Sequence, residues 1–238
     1  MSDLLELAMS AHGGLDRWRE IKTLDLRMSL TGSLFRIKGY PEGVPNVLMH
    51  VDTQRIAVDT SPWAGVGTVG HFVPDRVWIT DGERRVVEDR RNPRASFAGH
   101  VRSTPWDQLQ RLYFTSYALW NYLSTPFLFT RPGFELRELE PHQEGGYVWR
   151  RLLVKYPPDV PTHSNEQTCY FNEKGLLQRV DYVTDVLGGI AAHYCYDHLS
   201  FGGIVFPTLR RVVTRKESHS FLSNPTAVLL LLSDIFVA

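Results

Sequence analysis

The densest group of side chains able to move a proton is His193-Tyr194-Cys195-Tyr196-Asp197-His198. Side chains alternate along a strand, so His193, Cys195 and Asp197 would share one face and Tyr194, Tyr196 and His198 the other. If the first set faces inward, a His/Asp pair lines the interior; if the second does, two tyrosines and a histidine do. Either set positions a general acid or base, which makes His193, Tyr194, Asp197 and His198 the catalytic candidates for a cofactor-independent isomerase, cyclase or lyase. The competing reading is a strand whose polar residues bond across the sheet or meet water.

The other histidines, His12, His50, His71, His100, His142, His163 and His219, are dispersed. His50 falls in the strand-like run Val47-Asp52, on the face opposite Met49 and Val51, and His71 stands between Gly70 and Phe72; both are candidates for touching a ligand. No metal is expected: an offset of five puts His193 and His198 on opposite strand faces, and neither Cys169 nor Cys195 belongs to a Cys-x-x-Cys pair. Asp181 and Asp185 share a strand face two steps apart and read as solvated outward positions beside Arg179. A Gly-x-Ser-x-Gly elbow and a phosphate-binding glycine loop are both missing from the sequence, so neither a serine hydrolase nor a nucleotide-binding domain is expected.

The elements that must hold these residues are mostly strands. From Thr23 the hydrophobic period is two, with Leu24, Leu26, Met28 and Leu30 on one face. Similar runs follow near Val47-Asp52, Arg55-Asp59, Val66-Phe72, Val77-Thr80 and Arg84-Glu88. After Pro126 they resume as Phe134-Glu140, Tyr147-Tyr156, Glu166-Phe171, Leu176-Thr184, Ile190-Leu199, Val205-Arg215 and Val228-Val237. Glu144-Gly145-Gly146 and Asn172-Glu173-Lys174-Gly175 have the composition of hairpin turns. Two helical stretches precede the strands, behind a Ser2 cap and broken at Gly13-Gly14, and predict a helical lid.

One long helix is predicted from Pro105 to Leu123, with Thr104 as its cap and Asp107 near the positive end of its dipole. Trp106, Tyr113, Tyr117 and Trp120 fall along it, and leucines occupy a neighbouring face, so the helix is apolar over more than half its circumference. The stretch before it, Arg90 to Arg102, is basic and irregular and reads as a surface connection.

Composition narrows the class further. Hydrophobic residues make up 43% of the 238, and 26 basic side chains balance 26 acidic ones. A sizeable core is available, and no net field recruits nucleic acid or an anionic membrane. The acidic residues of Met1-Ser2-Asp3-Leu4-Leu5-Glu6-Leu7 stand where a secretory leader carries positive charge, which predicts a cytoplasmic protein. The apolar run Ala227 to Leu232 stops at Ser233-Asp234, well short of the roughly 20 residues of a membrane span, so stable membrane insertion is not expected.

A wide sheet of ten or so twisted strands curls, and the concave side takes the helix. The fold class expected is mainly β (α+β): a single domain, residues 1–238, in which a curved antiparallel sheet or incomplete barrel wraps one long helix. A single helix need not fill such a curve, and the remainder is a pocket lined by Trp106, Tyr113, Tyr117 and Trp120. An apolar small molecule is the expected partner there, with no cofactor.

Three stretches resemble the bacterial lipoprotein-carrier (LolA-like) fold. These are Ala11-His12-Gly13-Gly14-Leu15-Asp16-Arg17-Trp18 leading into Ile21-Lys22-Thr23-Leu24, the Tyr170-Phe171-Asn172-Glu173-Lys174-Gly175-Leu176-Leu177 hairpin, and Phe201-Gly202-Gly203-Ile204-Val205-Phe206-Pro207-Thr208 followed by Arg210-Arg211-Val212. The resemblance spans nearly the whole chain. It implies an incomplete antiparallel barrel around helices, with an acyl or other apolar group received in the hollow. Together with the acidic N-terminus it points to a cytoplasmic relative with a ligand other than a lipoprotein.

Overall fold

A computed structural model gives the positions of residues 3–216 and 220–238; Ser2 and His219 lie outside the described residues. Two short helices open the chain, α1 (Asp3–Ala11) and α2 (Leu15–Glu20). A first meander follows: β1 (Thr23–Thr31), a one-turn helix α3 (Ser33–Ile37), β2 (Val44–Asp52), β3 (Ala57–Ser61), β4 (Val69–Val73), β5 (Arg76–Thr80) and β6 (Val86–Arg91). Helix α4 (Gln108–Ser124) separates it from a second meander of β7 (Glu135–Glu144), β8 (Tyr147–Lys155), β9 (Glu166–Phe171), β10 (Leu177–Thr184), β11 (Gly189–Phe201) and β12 (Ile204–Arg215). The short β13 (Phe221–Leu222) pairs only with β12, and β14 (Val228–Val237) ends the chain.

All of these strands belong to one antiparallel sheet, in the order β6-β5-β4-β3-β2-β1-β14-β12-β11-β10-β9-β8-β7. Strand β14 fuses the two meanders, pairing Leu30 of β1 with Leu230 on one side and Arg210 of β12 with Leu230 on the other. The sheet curves without closing, since β6 and β7 remain its edges. Period-two patterning sets which side is concave: Leu24, Leu26, Met28 and Leu30 of β1 and Leu230 and Leu232 of β14 are buried, while Leu229 and Leu231 face out. The run Ala227 to Leu232 is therefore a strand. Among the described residues no helix is long and apolar enough to cross a membrane.

Helix α4 lies in the concavity and is buried on nearly all sides. Its cap is Asp107, not Thr104. The Asp107 carboxylate accepts from the Gln110 backbone N–H at 2.7 Å, and the Gln110 side chain accepts from the Asp107 N–H at 3.0 Å, a reciprocal capping box. Thr104 instead accepts from the Val101 N–H at 3.0 Å, closing the preceding turn. That preceding stretch is more ordered than its composition suggests: Pro93–Phe97 forms a 3-10 turn whose Pro93 and Phe97 are buried against the core. Two of its arginines are paired, Arg90 with Asp107 at 2.7 Å and Arg94 with Asp185 at 2.8 Å.

Helices α1 and α2 close one end of the concavity. Trp18 stacks on Phe127 at 4.8 Å, and the Arg17 side chain donates to the Gly202 carbonyl in the β11–β12 turn. The Gly13-Gly14 break is dictated by contact. Gly13 has φ +112°, and a Cβ there would stand 2.1 Å from the Gly203 carbonyl oxygen, so only glycine allows the two backbones to meet.

Candidate functional site

One side of α4 packs against the first meander. Tyr113 meets Phe72 and Phe97 at 5.9 Å each, and the Trp120 indole donates to the carbonyls of Asp52 and Arg55 at 2.9 and 3.1 Å. The other side carries Phe114, Ala118 and Tyr122, four residues apart and so on one stripe. Facing that stripe are Tyr182 of β10, Ile190 and Ala191 of β11 and Val212 of β12, with Leu30 of β1 and Leu34 of α3 at one end. Between them is a cavity of about 90 Å³, and the empty space between its walls, open mouth included, is about 780 Å³. The small side chains of Ala118 and Ala191 leave this room. The second meander curls away from the helix here, while the first clasps it.

The walls are mainly apolar, with Thr115, Thr184 and Thr214 among them and Arg102 at the exposed side; at one end His163, Tyr122 and Tyr182 come together with Tyr117 behind them. His163 sits in the Pro157–His163 segment between β8 and β9. That segment is tied to α4 by the Asn121 amide donating to the Pro161 carbonyl at 2.8 Å, and to the 3-10 turn by Arg94 donating to the Thr162 carbonyl at 2.8 Å. The imidazole stacks on Tyr182 at 4.4 Å; its Nδ1 lies 3.0 Å from the Tyr117 hydroxyl and its Nε2 lies 2.7 Å from the Tyr122 hydroxyl. The Tyr122 and Tyr182 hydroxyls are 3.4 Å apart.

Burial lowers the His163 pKa to about 3, so the ring is neutral at physiological pH and carries one N–H. One tyrosine therefore donates to it and the other accepts from it. When the proton is on Nε2, Tyr117 donates to Nδ1 and the Tyr122 O–H is free to turn toward the cavity. Burial likewise raises the Tyr122 pKa to about 12 and drives that of Tyr182 well up, keeping both as neutral hydrogen-bond donors.

The residues singled out by the sequence are scattered across this architecture. His193 lies on the concave side, fully buried, with its ring 4.5 Å from that of Tyr122 and its Nε2 3.5 Å from Arg210. Cys195 shares that side. Asp197 has φ +51° and is exposed, which breaks the alternation and turns His198 inward, where it bonds the Leu177 carbonyl at 2.8 Å, its ring 6.3 Å from that of His12. Tyr194 lies on the convex side, its hydroxyl donating to Glu144 at 2.8 Å and accepting from Arg179 at 3.2 Å. Asp181 is on that side too, as alternation requires, but it is buried rather than solvated, 2.6 Å from Arg179 and accepting from Tyr170 at 2.8 Å.

Among the ligand-contact candidates, Tyr117 reaches the polar end of the cavity only through His163. Trp106 precedes α4 and packs on Phe97 and Phe114, while Tyr113 and Trp120 face the first meander. His50 and His71 are on the convex side, paired with Asp25 and Asp59 at 2.7 Å each. Tyr122, His163 and Tyr182, which form the polar end of the cavity, went unselected in the sequence. The one available signal was the small Ala118 interrupting an aromatic helix between Phe114 and Tyr122.

No family model and no curated protein matches the chain. Solved structures do. A LolA superfamily protein of Nitrosomonas europaea aligns with TM-score 0.50 and 10% identity over 97% of this chain and 93% of its own. A Vibrio parahaemolyticus domain, named for outer membrane lipoprotein sorting, aligns with TM-score 0.53 and 11% identity over 98% and 91%. A DUF1329 family protein of Desulfovibrio piger gives TM-score 0.50 and 12% identity over 98% and 91%. At such identities the likeness concerns architecture alone. An unclosed antiparallel sheet wrapped around a central helix, matched over nearly its full length, gives this chain the LolA-like fold.

Proposed function

We propose that the protein binds an apolar or amphipathic small molecule in the cavity between α4 and strands β10 to β12. The observation that carries this reading is the cavity itself, walled mainly by aliphatic and aromatic side chains, open to the exterior and with a cluster of polar groups, Tyr122, His163 and Tyr182, at one end, which is the arrangement expected of a small-molecule site. The naming of the Vibrio parahaemolyticus neighbour for lipoprotein sorting is consistent with an acyl-type guest in this architecture.

Binding is favoured over catalysis by the state of the polar groups. A general base must hold a proton with an affinity matched to the working pH. His163, with a pKa near 3, is a hydrogen-bonding partner rather than a base, and burial also depresses the pKa of His193. Of the other acid-base candidates, Tyr194 and Asp197 do not face the cavity.

Titration with the neutral apolar dye Nile red, together with native mass spectrometry of the purified protein, tests the reading. Dye fluorescence should rise with saturation, and Ala118→Phe, which places a phenyl ring in the cavity, should weaken the dye at least tenfold. Because the ring enters empty space, the near-UV circular dichroism of the variant should match the parent. Unchanged dye affinity in a folded Ala118→Phe protein would place the dye elsewhere and refute the proposal.

A further inference from the structure

Behind the polar end of the cavity stands a cation with no anion. Arg210 of β12 is 2% exposed, and among the described residues no carboxylate is hydrogen-bonded or ion-paired to it. Its Nη2 donates to the Tyr122 carbonyl at 2.9 Å, its Nη1 to Cys195 Sγ at 3.2 Å with His193 Nε2 at 3.5 Å, and its Nε has no partner. Burying a guanidinium without a counter-charge is costly, and charged side chains are almost never fully buried unless paired. The Nδ1 of His193 is also without a partner, so a second buried nitrogen beside Arg210 is unsatisfied.

Arg210 is separated from the cavity by a single side chain. The Tyr122 ring lies over the guanidinium at 4.9 Å, while the Tyr122 hydroxyl is at the cavity's polar end. A second space of about 10 Å³, too small for more than a water, touches Arg210 and shares Tyr122 and His163 with the cavity as a common wall. No Asp or Glu lines either space among the described residues. Arg102, at the exposed side of the cavity, is also cationic.

We infer that the molecule held in the cavity is an amphipathic acid, whose carboxylate meets the hydroxyls of Tyr122 and Tyr182 and is balanced by the Arg210 charge behind Tyr122. This inference rests on the proposed apolar binding. The hydroxyls supply donors that shorten and strengthen against an ionised acceptor, and the low-polarity surroundings leave the guanidinium field little screened. A neutral head group would gain the hydroxyl contacts but not the charge.

The test compares laurate with lauryl alcohol, which share a chain and differ in the head, by displacement of Nile red from the intact protein. Laurate is expected to bind at least tenfold more tightly than the alcohol. Arg210→Met should abolish that preference by weakening laurate to about the affinity of the alcohol; Arg210→Lys should retain part of it, and Arg102→Gln, at the exposed side of the cavity, should retain most of it. Acetate separates the sources of the anion. An acetate-dependent rise in melting temperature that vanishes in Arg210→Met would mean that a free small anion fills the role, which overturns the assignment to the ligand's head. Equal affinity of laurate and alcohol for the parent protein, or a preference lost in Arg102→Gln, overturns the inference while apolar binding stands. Failure of both compounds to displace or bind removes the proposed function as well. If Arg210→Met does not fold, the parent comparison and the Arg102→Gln and Arg210→Lys variants still decide.

Discussion

Acidification from pH 6.5 to about 4.5 is expected to remove on the order of 5 kcal/mol of folding free energy, before most carboxylates titrate. The cause is a set of histidines buried in the neutral form. Burial lowers His163 from 6.5 to about 3 and His12 from 6.5 to about 4, and it depresses His193 as well. In the unfolded chain each protonates as pH falls through 6.5; in the folded protein none does until much lower pH. Between those limits the unfolded state binds more protons, so stability falls with falling pH at roughly 1.4 kcal/mol per pH unit for each such histidine, and above 6.5 they contribute no slope. Two fully depressed histidines account for the 5 kcal/mol, and His193 adds to it. That is a large part of the about 5–15 kcal/mol by which domains are stable. Urea unfolding at a series of pH values measures it directly. His163→Gln, whose amide can bond both Tyr117 and Tyr122, should reduce the slope between pH 6 and 4.5 by about one proton. Identical slopes in the two proteins would show that His163 is not buried as a neutral ring.

The second large effect concerns the convex side. Replacing Arg179 by alanine should cost about 3–5 kcal/mol, because it strips a buried ion network of its cation. The guanidinium is fully buried and bonds Asp181 through two nitrogens at 2.6 and 2.9 Å, with Glu144 at 2.5 Å and the Tyr194 hydroxyl at 3.2 Å. Tyr170 and Tyr194 flank it at 5.0 and 5.3 Å. Without it, Asp181 keeps the Tyr170 hydroxyl and Arg215 at 3.4 Å, but two carboxylates are left close together with one cation fewer. Arg179→Met preserves packing and isolates the electrostatic part. A loss below 1 kcal/mol in urea unfolding for Arg179→Ala would mean that water enters the cluster and solvates it. Nile red affinity should not change, since the network is on the opposite side of the sheet from the cavity.

The fold was legible in the sequence because its signals are local and repeated. Alternation located β1, β8 to β12 and β14 to within a few residues, and the Glu144-Gly145-Gly146 and Asn172–Gly175 turns fall where φ is positive at their glycines. The helix cap was misplaced because Thr104 and Asp107 are both good capping residues; the Gln110 side chain, three residues after Asp107, decides between them. The short α3 carries no period long enough to read. The site was far less legible. Alternation placed His193 and Cys195 on one face correctly relative to each other, but a left-handed φ at Asp197 has no sequence signature strong enough to foresee, and it reverses the direction of His198. His163 belongs to a proline-rich connection, and only the three-dimensional course of that segment brings it between Tyr117 and Tyr122. Aromatic density on α4 pointed to a stripe that does not line the cavity: Tyr113 and Trp120 fill space against the first meander, while the cavity exists where Ala118 leaves a gap.

The position of β14 bears on how the molecule assembles. Its partners β1 and β12 lie some 200 residues and some 20 residues back along the chain respectively. Each meander can zip up from neighbouring hairpins, yet the seam between them waits for Val228–Val237, and closing a loop of that span is entropically slow. Until then β1 and β12 each present an unsatisfied row of amides and carbonyls to any passing strand. Aggregation during refolding should therefore concentrate at this seam, and a peptide copying Val228–Val237, supplied in excess, should compete for it.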